Sequence, residues 1–157
     1  MIRVGIGYDS HRFEAGRPLI LAGQTIPHPM GLAGHSDADA VAHAVTDAIL
    51  GATASGDIGA LFPDTDSSWR NADSMRLLGL ALEVIERRGF KVRQVDVTLI
   101  IEQPKIGPWR DAMARALAAV LGIAATDVGI KAKTNEGMGF IGRGEGIAVM
   151  AVATVEG

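Results

Sequence analysis

Residues 34–47, Gly-His-Ser-Asp-Ala-Asp-Ala-Val-Ala-His-Ala-Val-Thr-Asp, constrain the fold more than any other stretch of the chain. Ser36, followed three residues later by Asp39 and then by an Ala/Val/Ile run, has the spacing of a capping box, with Asp where Glu or Gln is usual. A helix is therefore expected from about Asp37. At 3.6 residues per turn, Asp39, His43 and Asp47 share one polar stripe, while Val41, Ala44, Val45, Ala48, Ile49 and Ala52 cover the other side. His35 sits at the mouth of that helix, where free N–H groups and the positive dipole end favour an anion. One helix thus carries a candidate metal ligand and a candidate phosphate-handling imidazole.

Ahead of it, residues 2–8 read as a short apolar strand ending at Tyr8-Asp9-Ser10-His11. Side chains alternate along an extended chain, so Asp9 and His11 face one spot. Leu19–Ala22 and Gln24–Ile26, separated by Gly23, read as a hairpin or bulge. Residues 55–66 form a loop rich in glycine, proline and aspartate. A second helix is expected from about Asp73 to Arg88, capped by Gly89. Val92–Ile101 reads as a buried strand, broken by Pro104 and Pro108, with a third helix from Pro108 to Gly122. Val128–Lys133 and Ile147–Val155 read as strands on either side of a glycine-dense run. Such alternation implies a sheet with helices on a face.

Composition removes several classes of function. A chain of 157 residues with a net charge of −3 offers no basic field, and no Lys/Arg cluster acts as a local one, so nucleic acid is not an expected partner. No apolar run approaches the ~20 residues of a membrane span and no signal-like segment opens the chain, so a soluble, cytoplasmic protein without a membrane partner is expected. With no cysteine and four histidines, any bound transition metal must use imidazole and carboxylate.

Asp9, His11 and His43 make the first constellation: three protein ligands of the kind that hold catalytic zinc and leave a fourth position open. Spacing alone leaves another reading, in which Asp9 is a turn residue and both imidazoles are simply solvated. His28, between prolines, reads as a loop residue. His35-Ser36 is either an anion site or only a helix cap. Asp57-Ile58-Gly59 and Asp64-Thr65-Asp66 can orient hydroxyls of a polar substrate or serve as turns. Lys133-Thr134-Asn135-Glu136 offers an ammonium, a hydroxyl and a carboxylate, a set that contacts phosphate and holds magnesium or a solvated strand end. The run from Gly139 to Gly146 fits neither nucleotide fingerprint, and its arginine and glutamate can pair with each other or across a subunit contact.

In order along the chain, Gly5-x-Gly7-x-Asp9-x-His11, Gly34-His35-Ser36-Asp37-x-Asp39 with His43, Gly56-Asp57-Ile58-Gly59, Phe62-Pro63-Asp64-Thr65-Asp66, Ala72-Asp73-Ser74, Pro104-Lys105 and Gly142-Arg143-Gly144-Glu145-Gly146 resemble the 2-C-methyl-D-erythritol 2,4-cyclodiphosphate synthase family over essentially the whole chain. The resemblance implies a lyase of the non-mevalonate isoprenoid pathway. Its reaction cyclises 4-diphosphocytidyl-2-C-methyl-D-erythritol 2-phosphate with release of CMP, in a homotrimer whose active sites lie between subunits. It further implies zinc, or another divalent cation, on Asp9, His11 and His43, and transition-state stabilisation by His35 and Thr134. Substrate contacts are implied at Asp9, His11, His35, Ser36, Asp57, Ile58, Gly59, Phe62, Pro63, Asp64, Thr65 and Asp66. A cytosine pocket is implied at Ile101, Glu102, Gln103, Pro104, Lys105, Ile106 and Gly107, beside a wall of Lys133, Thr134, Asn135 and Glu136. Glu136 would take Mg2+ or Mn2+ with the substrate, and Phe140 and Arg143 complete the contacts.

The fold expected is a single-domain two-layer α/β sandwich over residues 1–157: a mixed sheet of about four main strands, three helices on one face, and a short β-hairpin. The apolar last strand has no further helix after it, so a second copy is expected to cover part of the other face. Two rival functions keep the same residues: a zinc-dependent phosphohydrolase, and a non-catalytic trimeric binder of polyol or isoprenoid phosphates.

Overall fold

A computed structural model describes residues 1–157. The elements follow in order as β1 (Ile2–Ala15), β2 (Leu19–Leu21), β3 (Gln24–Ile26), β4 (Met30–Leu32), α1 (Ala40–Ala52), α2 (Ile58–Leu61), α3 (Ser74–Arg87), β5 (Lys91–Ile100), α4 (Arg110–Leu121), β6 (Val128–Lys133), α5 (Gly139–Gly142) and β7 (Gly146–Glu156). The main sheet has the order β4-β1-β7-β5-β6, and β2-β3 stands apart as a hairpin. Every neighbouring pair in the main sheet is antiparallel except β5 and β6, so the sheet is mixed as expected. A short fifth strand, β4, joins the four main ones at the edge.

β1 does not end near Tyr8. It continues to Ala15 because β7 pairs with it from Ile2 to Arg12 and β4 takes over from Phe13 to Ala15. Asp9 and His11 therefore lie within a long paired strand, not at a free tip, and the alternation that puts them on one face is enforced by the ladder.

α1, α3 and α4 cover one face: α1 lies on β1 and β7, α4 lies on β6, and α3 packs against both of these helices. α1 is the most deeply set of the three. Val41, Ala44, Val45, Ala48, Ile49 and Leu50 are all fully buried in it. The helix can sit this low because Gly5 and Gly7 of β1 face it without side chains. A β-carbon at Gly7 would collide with the Ala44 carbonyl, and one at Gly5 with the Ala48 carbonyl.

The start of α1 differs from the expected one. Ala38 has φ +59°, a left-handed turn, so regular helix begins at Ala40 with Asp39 as its cap. Asp39 belongs to no solvated stripe and is fully buried. Its carboxylate accepts from Ala42 N at 3.0 Å and from Ala22 N and Gly23 N, at 2.9 and 2.8 Å, in the tight turn between β2 and β3. Burial pushes its pKa up to about 6, against the pull of these three donors. One carboxylate thus ties the hairpin to the base of the helix.

The opposite face of the sheet carries Ile2, Val4, Ile6 and Tyr8 of β1 and Met150 and Val152 of β7, all exposed. Ile6 pairs with Val152 and Tyr8 with Met150, so these side chains form one apolar stripe. Such a stripe marks an interaction surface. The close approach of α1 to β1 has a testable consequence. Gly7→Ala inserts a methyl group where backbone already stands, and urea unfolding is expected to show a loss of about 3 kcal/mol.

Candidate metal centre and adjoining cleft

Three donor atoms converge where α1 crosses β1. Asp9 Oδ2 lies 2.8 Å from His11 Nε2 and 3.2 Å from His43 Nδ1, and the two nitrogens are 3.3 Å apart. A tetrahedral ion with bonds of about 2.1 Å needs donors about 3.4 Å apart, so the triangle accepts one after small outward shifts. Asp9, His11 and His43 are the three metal-type ligands that the structure brings together, and they fit a divalent cation. His11 donates from Nδ1 to the Ala33 carbonyl at 2.7 Å, which makes Nε2 the nitrogen that faces the triangle.

The electrostatics are those of a closely shared carboxylate. Burial alone would raise the Asp9 carboxyl, yet hydrogen bonds from the two imidazoles outweigh it and hold its pKa below the ordinary range. For His11, burial pulls downward and the Asp9 carboxylate more than compensates, so its pKa stands above the usual imidazole value.

A cleft of about 530 Å³ opens beside the triangle, lined by His11, Gly34, His35, Ser36, His43, Ile58, Gly59, Phe62, Pro63, Asp64, Thr65, Trp69 and Leu77. His35 leans across its rim and donates from Nε2 to the Asp66 carbonyl at 3.1 Å. The Asp66 carboxylate itself turns away to Ser68 N and Oγ, so of this loop it is Asp64 and Thr65 that line the cleft. Asp57 caps α2, accepting from Ala60 N at 2.8 Å. The long loop expected over residues 55–66 therefore contains a turn of helix, held to α1 because Asp47 accepts from Ile58 N at 2.7 Å. The edge of Trp69 meets Phe62, ring centres 5.0 Å apart, and stiffens the cleft's apolar wall.

The second cluster forms at the ends of β5 and β6. Ile101 N donates to the Lys133 carbonyl, and the Glu102 carboxylate accepts from Asn135 N and Gly137 N, at 2.9 and 3.2 Å. This ties the segment of Gln103, Pro104, Lys105, Ile106 and Gly107 to the one of Thr134, Asn135 and Glu136. Thr134 Oγ1 accepts from Glu136 N. Ser10 pairs with Ala148, Ala148 with Ile100, and Ile100 with Lys133. Three steps of about 4.8 Å between strands put this cluster about 14 Å along the sheet from the metal triangle. Phe140 lines a different hollow, of about 680 Å³, with Ser10, Arg12 and Glu145. Arg143 pairs with Glu145 at 2.9 Å beside it.

Two side chains that spacing did not single out hold the site in shape. Arg17, just before β2, donates to the Gly34 and Ser36 carbonyls, each at 2.7 Å, and so clamps the turn that carries His35. Nothing local marks it, because it acts across 17 to 19 residues of chain. Ser74, the first residue of α3, lies against His43.

The chain belongs to the YgbB family, whose model matches residues 2–156. It is 54% identical over 155 residues to the 2-C-methyl-D-erythritol 2,4-cyclodiphosphate synthase of Gemmatimonas aurantiaca, covering 99% of this chain and 93% of that protein. It is 52% identical to the synthase of the same name from Syntrophus aciditrophicus, over 99% of this chain and 98% of that one. Among solved structures, a 2C-methyl-D-erythritol-2,4-cyclodiphosphate synthase described as the CDP-bound form superposes with a TM-score of 0.90 at 42% identity, covering 98% of this chain and all of the other. The bifunctional IspDF of Campylobacter jejuni matches with a TM-score of 0.95 at 43% identity over 99% of this chain, which spans 42% of that longer one.

The Arg17 clamp can be tested alone. Hydrogen bonds to a charged donor are worth about 1.5–3 kcal/mol each. Arg17→Ala is expected to speed amide exchange across residues 34–37 by at least about tenfold, while exchange in β5 and β7 stays as it was.

Proposed function

We propose that this chain converts 4-diphosphocytidyl-2-C-methyl-D-erythritol 2-phosphate to 2-C-methyl-D-erythritol 2,4-cyclodiphosphate with release of CMP, as a lyase of the non-mevalonate isoprenoid pathway. The observation that carries this reading is the donor triangle of Asp9, His11 and His43 at the edge of the 530 Å³ cleft, in a chain about half identical to proteins named for that activity. Zinc is the ion we assign to the triangle, with Mg2+ or Mn2+ at Glu136.

In the reaction a 2-phosphate oxygen bonds to the β-phosphorus of the same molecule and the bond to CMP breaks. No side chain has to act as a nucleophile. The work left to the protein is to fold the substrate back on itself, which intramolecular positioning rewards with several kcal/mol. Bound divalent cations supply Lewis-acid polarisation of the diphosphate and neutralise charge on the departing CMP. Asp57, Ile58 and Gly59 would orient the methylerythritol hydroxyls from the cleft wall. His35 and Ser36, ahead of α1, would frame the phosphates, and Phe62, Pro63, Asp64, Thr65 and Asp66 would supply further substrate contacts. His35 and Thr134 would stabilise the charge that builds on phosphoryl oxygens, and Lys133 would add an ammonium beside them. Ile101, Glu102, Gln103, Pro104, Lys105, Ile106, Gly107, Asn135 and Glu136 would receive the cytidine half, and Phe140 and Arg143 would add further substrate contacts.

The two halves of that list lie about 14 Å apart in one chain, and the apolar stripe on β1 and β7 is bare. We infer a homotrimer that covers the stripe and brings one subunit's cytidine pocket to the next subunit's metal centre.

Incubation with the cytidyl substrate and zinc plus magnesium is expected to yield CMP and one cyclic product. A linear phosphate product would identify a hydrolase, and binding without turnover a non-catalytic module. His43→Ala is expected to lose both zinc retention and cyclisation, and a variant that keeps both would overturn the ligand assignment. Ile6→Asp is expected to sediment as a monomer and to lose at least about 100-fold in activity while still retaining zinc.

A further inference from the structure

The second ring nitrogen of His43 leads away from the cleft to groups that the reading above leaves without a role. His43 Nε2 lies 2.8 Å from Ser74 Oγ, at the first residue of α3. Ser74 is fully buried. Its hydroxyl makes a short hydrogen bond to Asp37 Oδ1. The Asp37 carboxylate also accepts from Ser74 N at 3.2 Å and from Asp39 N at 3.1 Å. A carboxylate facing three donors can only accept, so the single Ser74 proton is committed to Asp37. Ser74 Oγ keeps its lone pairs for a proton on His43 Nε2, the nitrogen that carries one whenever Nδ1 is a ligand. Nδ1 itself faces Asp9 Oδ2 at 3.2 Å and His11 Nε2 at 3.3 Å. Ser36 Oγ, which accepts from Ala38 N, lies 3.2 Å from the same nitrogen and closes the remaining direction.

We propose that Asp37 and Ser74 are a positioning pair for His43: a carboxylate acting through a hydroxyl accepts the Nε2 proton and fixes the ring angle, so that Nδ1 is the nitrogen aimed at the metal position. Carboxylates commonly orient metal-bound histidines directly, and losing such a partner weakens metal binding roughly 10- to 100-fold. The arrangement here differs by the interposed serine. That serine lets the first residue of α3 and the turn before α1 report on each other through the ligand. The other imidazole needs no such pair, because His11 donates to the Ala33 backbone carbonyl, a group that can only accept. The proposal rests on the reading of Asp9, His11 and His43 as metal ligands, and the test separates the two: that reading fails in the unmodified protein, the pair in its variants.

The test uses the full-length protein and two variants, Ser74→Ala and Asp37→Asn. In the zinc-loaded protein, nitrogen NMR of labelled histidine rings is expected to show a His43 Nε2–H that exchanges slowly with solvent, and both variants are expected to speed that exchange. With zinc as the only probe, chelator competition is expected to give a dissociation constant roughly 10- to 100-fold weaker in both variants. Asp73→Ala removes the neighbouring cap of α3, where Asp73 accepts from Met75 N at 2.9 Å, without touching His43, and is expected to leave zinc affinity unchanged. Wild-type affinity and wild-type Nε2–H exchange in both variants would overturn the proposal. So would a loss shared equally by Asp73→Ala, since it would mean that only the fold of α3 had been read. If zinc fails to bind the unmodified protein, the metal reading falls and the pair falls with it.

Discussion

Everything that this chain can do at its candidate site depends on how closely α1 rests on β1. Two glycines on the strand and a run of alanines on the helix let the backbones meet where side chains would normally keep them apart. A helix seated at ordinary distance would carry His43 away from Asp9 and His11. At the observed separation, a carboxylate and two imidazoles close to within 2.8–3.3 Å of one another. Bringing these three together desolvates them, and the mutual hydrogen bonds that hold Asp9 ionised offset part of that cost. The burial of α1 provides the rest, through the hydrophobic contacts that hold the helix in place.

The same packing ties the site to the remainder of the molecule. Asp39, buried at the base of α1, holds the β2-β3 turn, and Arg17, at the entry to that hairpin, reaches back to clamp the turn carrying His35. Asp47, one turn beyond His43, holds the loop that walls the cleft. Each of these groups acts on backbone, so the shape of the site is set largely by main-chain anchoring. The ligands and the cleft wall therefore belong to one hydrogen-bonded unit, in which a change at the hairpin is felt at the helix start.

Legibility from sequence followed periodicity. The period of two in β1 put Asp9 and His11 on one face, and the period of 3.6 in α1 set His43 opposite its apolar side. Both survive because they are local, and the same holds for the hairpin and the 128–133 strand. Periodicity failed where a distant contact decided the outcome. The helix starts three residues late because Ala38 turns left-handed, a conformation that no side-chain pattern announces. Asp39 looked like a surface residue at helical spacing, and only the β2-β3 turn explains its burial. Ser74 was part of a recognisable motif, yet its contact with His43 spans 31 residues and depends on how α3 packs. The length of β1 was missed because residues 9–12 are held by β7 and residues 13–15 by β4, a three-residue strand with little signal of its own. The joint use of two remote clusters, which we propose, is not written in one chain at all. The proposal rests on their separation across the sheet and on the exposed apolar stripe beside them.

The central claim is that Asp9, His11 and His43 grip one divalent ion in the geometry of their apo triangle. X-ray absorption at the zinc edge of the zinc-loaded protein tests it most directly. The account predicts two imidazole nitrogens and two oxygens, one of them from Asp9, at about 2.0–2.1 Å in a four-coordinate shell. A shell without imidazole scattering, or six oxygens in an octahedral arrangement, would contradict it.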